Sequence, residues 1–257
     1  AEVRMIPYHD ENETRRPAYV TMILIALCVF AWVFVQGAGA AYPLAASVCN
    51  LGLIPGELTG LVPAGAGFAM GEGLVCEIDP GRQYMNVITS MFLHGSWMHL
   101  IGNMWFLWLF GNNIEDSMTR PRFLVFYLVC GLAAALLQVF AEPDSRVPMV
   151  GASGAISGVM GAYLVLFPRI RVFTLVPLGF ILTSIALPAW VMLLYWAFLQ
   201  LLGGFGSLIS PEEGGVAFWA HLGGFLAGVL LVKLFTSSEH LAQHRAYHWQ
   251  PRRVGWR

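Results

Sequence analysis

Phe123–Ala141, FLVFYLVCGLAAALLQVFA, is a run of 19 residues with no Asp, Glu, Lys or Arg, bounded by Arg122 before it and Glu142 after it. A helix of about 20 predominantly apolar residues crosses the hydrocarbon core of a bilayer, and this run has that length and polarity. Five more uncharged stretches lie around it: Pro17–Gly39, Val87–Gly111, Val150–Pro168, Val172–Gly204 and Val216–Val232. Of the 257 residues 57% are hydrophobic and only 11% charged, whereas soluble domains carry about 25% charged residues. The expected fold is an all-α membrane protein, a six-transmembrane-helix bundle over 17–236 with a long outer loop, about 40–86, between helices 1 and 2. Segments 1–16 and 237–257 flank it. Val172–Gly204 exceeds one crossing, so a tilt, an interfacial end or a kink at Pro188 is expected there.

Six crossings return the chain to its starting side, and the basic residues say which side that is. The side bearing both termini holds 12 of the 14 Lys and Arg, leaving only Arg82 and Arg146 opposite, and nets +5 against −6. By the positive-inside rule both termini are cytoplasmic, as in an integral protein of a bacterial inner (plasma) membrane. The overall charge of −1 offers no basic face for nucleic acid. Residues 1–4 precede Met5, and whether they are native is open. Cys28 and Cys130 fall in apolar spans as small hydrophobes. Cys49 and Cys76 share the outer loop, and the sequence leaves open whether they form a disulfide.

With no charge inside the spans, the informative groups are His94, His99, Asn103, Ser153, Ser157 and His221, because polar side chains at membrane depth are functional candidates. His99 and Asn103 stand at i and i+4, on one helix face. Ser153 opens the fourth span within GASGAISG, and His221 lies in AHLGGFLAG. The glycines Gly154, Gly158 and Gly161 on one helix and Gly224 and Gly228 on the other suit a close helix crossing, which brings Ser153 to His221. The second, fourth and sixth spans all enter from the outer side with these residues early in each, so they share one layer of the outer leaflet.

That inventory supports a hydroxyl, an imidazole base and oxyanion donors, the parts of serine acyl transfer. A metal site needs three or four converging ligands, and proton-coupled transport an intramembrane acid. Neither is offered, so no cofactor and no metal are expected. Without an in-span Asp the constellation is a Ser-His dyad rather than a triad. Ser157 is expected to back-bond to the Ser153 carbonyl.

HGSWMHLIGN, GASG and AHLGG, in that order on three spans, resemble the rhomboid family of intramembrane serine proteases over about Gln83 to Phe235. The resemblance implies Ser153 as nucleophile, His221 as general base, and His99 and Asn103, with the Ser153 backbone N–H, as oxyanion stabilisers. The implied reaction is hydrolysis of peptide bonds in or near transmembrane segments of membrane-protein substrates, from a site open to the outer face. His94 and Glu115 match positions with structural roles. Two departures stand out: many members carry Trp-Arg where this chain has Met85-Asn86, and some carry a Tyr packed on the catalytic His where this chain has Ser157. Two rivals are a non-catalytic relative that binds and sorts membrane proteins, and a channel or transporter. The fifth span, Val172–Gly204, weakened at Pro188, is a candidate lateral gate, the loop Gly206–Gly215 a candidate cap, and His240–Arg257 a basic tail able to touch anionic lipid.

Overall fold

A computed structural model describes residues 6–71, 73–178, 181–209 and 216–248. The protein is an integral membrane protein, mostly helical. Among the described residues three helices, Arg120–Ala141, Ala189–Ser207 and Phe218–Phe235, are long and apolar enough to cross a bilayer, and Tyr19–Val35 and Ser153–Leu166 are shorter apolar helices.

The first helix, α1 (Tyr19–Phe30), continues as a π-helical turn, Ala31–Val35. Glu115, far along the chain, closes its N-terminus by accepting from the backbone N–H of Val20 and of Thr21, at 3.0 and 2.8 Å, and from the Thr21 hydroxyl at 2.9 Å. Three donors that a helix start leaves orphaned or buried are thus satisfied by one carboxylate. The stretch expected as a loop folds into α2 (Ala41–Leu51), α3 (Pro55–Thr59) and a hairpin of β2 (Gly67–Gly71) and β3 (Leu74–Glu77), numbered after the N-terminal strand β1 (Ile6–Asp10). Ile54, Val62, Cys76 and Ile78 form a small core of its own, and Cys49 and Cys76 are joined by a disulfide. The amide of Asn86 donates to the Asn50 carbonyl at 3.2 Å. Thr89 donates to the Leu51 carbonyl at 2.7 Å.

Val87–Gly111 is not one continuous helix. A short α4 (Asn86–Thr89) and a 3-10 turn, Ser90–Phe92, precede an extended Leu93, and α5 (Trp97–Asp116) begins only after Ser96. The Ser96 hydroxyl caps α5 by accepting from the His99 N–H at 3.1 Å. Next come α6 (Arg120–Ala141), α7 (Ser153–Leu166) and, last in the bundle, α9 (Phe218–Phe235), and α7 sits at the centre with nearly every residue buried. Among the described residues α7 and α9 share the most extensive helix contact. A Cβ at Gly224 would collide with the Gly154 carbonyl, one at Gly228 with the Gly158 carbonyl and one at Gly161 with the Phe225 carbonyl. These glycines therefore set how near the two backbones come.

The stretch Val172–Gly204 departs from the expectation of one long span. Its first half is a hairpin, β4 (Arg171–Leu178) and β5 (Ile181–Pro188), to which β1 adds to make an antiparallel sheet of order β1-β4-β5. Val172, Thr174 and Val176 are buried at every second position, the period of a strand with β-branched side chains. Pro188 ends β5 and puts no kink in a helix. The helix α8 (Ala189–Ile209) starts where α7 ended: Ala189 N–H donates to the Ile170 carbonyl at 2.8 Å and Trp190 N–H to that of Pro168 at 3.0 Å. The expected cap Gly206–Gly215 begins as helix through Ile209, and its positions 210–215, Glu212 and Glu213 among them, lie outside the described residues.

A polar layer closes the end of the bundle near the termini. Tyr163 donates its hydroxyl to Asp10 at 2.6 Å and Asn113 its amide at 3.0 Å. Burial pushes the Asp10 carboxyl up to about 6, even against the lowering hydrogen bond from Tyr163. Within the stretch expected as a tail, Ser238–His248 form α10, and its His244 is fully buried between Asp116, at 2.6 Å, and Asn12, at 2.8 Å. Arg16 adds an ion pair to Asp116 at 2.9 Å.

Candidate active site

Ser153, His221, His99 and Asn103 all line one open cavity between α5, α6, α7, α8 and α9. Ser153 is the first residue of α7, so the N–H groups around it have no acceptor inside the helix. The His221 Nε2 lies 2.8 Å from the Ser153 Oγ. Ser157 donates to the Ser153 carbonyl at 2.6 Å.

A backbone hydrogen bond sets the tautomer of His99. The Gly95 N–H donates to His99 Nδ1 at 3.3 Å, which places the ring proton of the neutral form on Nε2. Gly151, just before Ser153, has φ +131°, a backbone that favours glycine. A Cβ added there would lie 2.9 Å from His99 Nε2 and 3.5 Å from Ser153 Oγ. Glycine thus leaves a hollow between the Ser153 hydroxyl and His99 Nε2. Asn103 is buried in the wall of that cavity, and one of its amide protons goes to the His99 carbonyl at 3.0 Å.

His94 does not share the cavity lining. Its ring is buried edge-on to His99, with centroids 5.3 Å apart. Gln36, at the end of α1, holds its backbone at both ends, donating to the His94 carbonyl at 2.7 Å and accepting from its N–H at 2.8 Å. The loop before α5 is thereby pinned to α1. Among the described residues no group of three or more His, Cys, Asp and Glu is placed to hold a metal ion.

Sequence reasoning missed two residues of α8. Gln200 Oε1 is 2.7 Å from His221 Nδ1, and the Trp196 ring packs on His221 with centroids 5.8 Å apart. Gln200 carried the same signal as Asn103, an amide inside an uncharged run. A third amide of this kind, Gln138, accepts from the Ala220 N–H at 3.1 Å and so steadies the start of α9.

A family model described as a rhomboid domain matches residues 81–238. Rhomboid protein 1, mitochondrial, of Saccharomyces cerevisiae is 31% identical over 153 residues, which cover 57% of this chain and 40% of that protein. Rhomboid-like protease 5 of Toxoplasma gondii is 32% identical over 173 residues, 65% of this chain and 18% of that protein. RHOMBOID-like protein 6, mitochondrial, of Arabidopsis thaliana is 36% identical over 84 residues, 33% and 27% respectively. The match therefore spans less than half the length of each of these relatives.

Proposed function

The chain belongs to the rhomboid family, and on that premise we propose that it is an intramembrane serine endopeptidase acting on transmembrane protein substrates. The observation that carries the reading is the 2.8 Å approach of His221 Nε2 to Ser153 Oγ beside the Gly151 hollow that faces His99 Nε2. His221 takes the Ser153 hydroxyl proton as Oγ attacks the scissile carbonyl carbon. The carbonyl oxygen becomes an oxyanion in the hollow, where His99 Nε2–H, the Asn103 amide and the Ser153 N–H stabilise it. Collapse breaks the C–N bond, and the leaving amine takes the proton from His221. A water, deprotonated by the same imidazole, then hydrolyses the acyl-enzyme and restores Ser153.

The architecture we propose around this site is six crossings within 17–236, the Cys49–Cys76 lobe and the cavity mouth on the outer face, and both termini on the cytoplasmic side of the plasma membrane. It rests on the 12 of 14 basic residues that segregate to one side. Substrates enter from the bilayer and unwind locally, because a helical peptide bond has its carbonyl already engaged.

The test is cleavage of a labelled model transmembrane substrate in proteoliposomes by the wild type, Ser153→Ala and His221→Ala, with EDTA in parallel. Cleavage by the wild type, unaffected by EDTA and lost in both variants, is expected. Cleavage persisting in Ser153→Ala overturns the assignment.

A further inference from the structure

We infer that Gln200 of α8 is a positioning residue for His221, holding the imidazole in the tautomer and orientation that lets Nε2 accept the Ser153 proton; the inference rests on the dyad reading above. The dyad, taken alone, has a weakness: a neutral imidazole carries one proton on either nitrogen, and only the Nδ1–H form has a lone pair at Nε2 for Ser153. Some acceptor must make that form the stable one. Gln200 Oε1 lies 2.7 Å from Nδ1, opposite the 2.8 Å contact of Nε2 with Ser153 Oγ.

The orientation of the Gln200 amide follows from its second partner. Its NH2 group points to the Trp196 carbonyl, 3.5 Å away on the preceding turn, and a carbonyl can only accept. The amide nitrogen therefore faces Trp196 and the amide oxygen faces His221. The amide reversed would offer a donor to Nδ1 and force the ring proton onto Nε2, where it would point at Ser153 and disable the base. Trp196 Cα and Gln200 Cα are four residues apart, so one face of α8 presents both the ring that packs on His221 and the acceptor that orients it. Trp196 also packs on Phe225, one turn beyond His221, with centroids 5.9 Å apart.

Ser153, His221 and Gln200 thus form one hydrogen-bonded line whose members come from three helices, α7, α9 and α8. A neutral amide sets the tautomer without placing a charge in the membrane, where a carboxylate is expensive. A displacement of α8 from α9 removes the acceptor and the packed ring together, so the base is complete only when α8 is seated.

The experiment compares the full chain with Gln200→Leu, Gln200→Met, Gln200→Glu and Ser153→Ala. Three readouts are taken: kcat and KM on a transmembrane substrate, the rate of fluorophosphonate labelling, and the 15N shifts of the His221 ring. Loss of the acceptor is expected to lower kcat and labelling about 10- to 100-fold, less than the ~10²–10⁴-fold that loss of the whole general base would cost, with KM within about threefold. Gln200→Glu, which keeps an acceptor oxygen, is expected to label several-fold faster than the Leu and Met variants. The ring shifts are expected to report Nδ1–H in the wild type and a gain of Nε2–H in the Leu and Met variants, which a purely structural role would not produce. If the Leu variant does not fold, Met and Glu decide. Labelling and tautomer unchanged in a folded Leu or Met variant overturn the role of Gln200 while leaving the dyad intact. Activity surviving in Ser153→Ala overturns the dyad itself.

Discussion

His221 Nε2 stands 2.8 Å from Ser153 Oγ across 68 positions of sequence, and that approach depends on the absence of side chains where α7 and α9 cross. A Cβ on Gly224, one turn below His221, would meet the carbonyl of Gly154, the residue next to Ser153. Gly224→Ala is therefore expected to force the helices apart, at an overpacking cost of about 1–3 kcal/mol, and to slow fluorophosphonate labelling far more than it lowers thermal stability. Labelling at the wild-type rate would show that the crossing tolerates a methyl group.

Gly151 makes the second prediction. Its φ of +131° strains any other residue, and an added Cβ occupies the hollow 2.9 Å from His99 Nε2. Gly151→Ala is expected to reduce kcat by at least the ~10²–10³-fold that loss of one oxyanion donor produces. His99→Ala, measured on the same substrate, should fall in that range and leave KM nearly unchanged.

Asp10 predicts a pH dependence of stability. Its carboxyl is raised from 3.8 to about 6 by burial, so between those values the folded protein holds a proton that the unfolded chain has released. Stability then falls as pH rises from about 4 to about 6 and stays lower above it. Two units correspond to at most about 3 kcal/mol. Asp10→Asn, with its amide oxygen left to accept from Tyr163 and Asn113, should show a flatter melting-temperature profile and a higher value than the wild type at pH 7.5. An unchanged profile would mean that Asp10 is ionised at little cost.

The Cys49–Cys76 disulfide closes a 27-residue separation, for which the chain-entropy model gives about 3–4 kcal/mol. The paired Cys49→Ala, Cys76→Ala variant is expected to expose the lobe around α2 and β3 to limited proteolysis. Labelling of Ser153 should be little affected, since the cavity is lined from other elements.

Where the sequence was legible, the physics was local. Uncharged runs, one between Arg122 and Glu142 and one closed by Lys233, marked the helices around Phe123–Ala141 and Phe218–Phe235, and the glycine spacing on α7 and α9 announced their crossing. Val172–Gly204 misled because a hydropathy reading cannot separate an apolar hairpin from an apolar helix. The alternation of Val172, Thr174 and Val176 held the strand signal, and one of the two strands that flank it, Ile6–Asp10, pairs with it from a polar segment 162 positions away at Asp10 and Val172. Ser153, His99 and His221 were legible as rare polar groups at depth. Gln200 was of the same kind, but its meaning required the tertiary contact, since nothing in the order of residues says that α8 turns this amide toward His221. The buried cluster of Asp10, Asn12, Asp116 and His244 was hidden for a related reason: its members come from the N-terminal segment, the end of α5 and α10, and look like solvated polar groups until α10 docks.

The most direct test of the central claim is to react the purified protein with a fluorophosphonate and locate the adduct by peptide mass spectrometry. The account predicts a single adduct on the peptide that contains Ser153, strongly reduced in His221→Ala and absent in Ser153→Ala. An adduct on another serine, or undiminished labelling in His221→Ala, would contradict it.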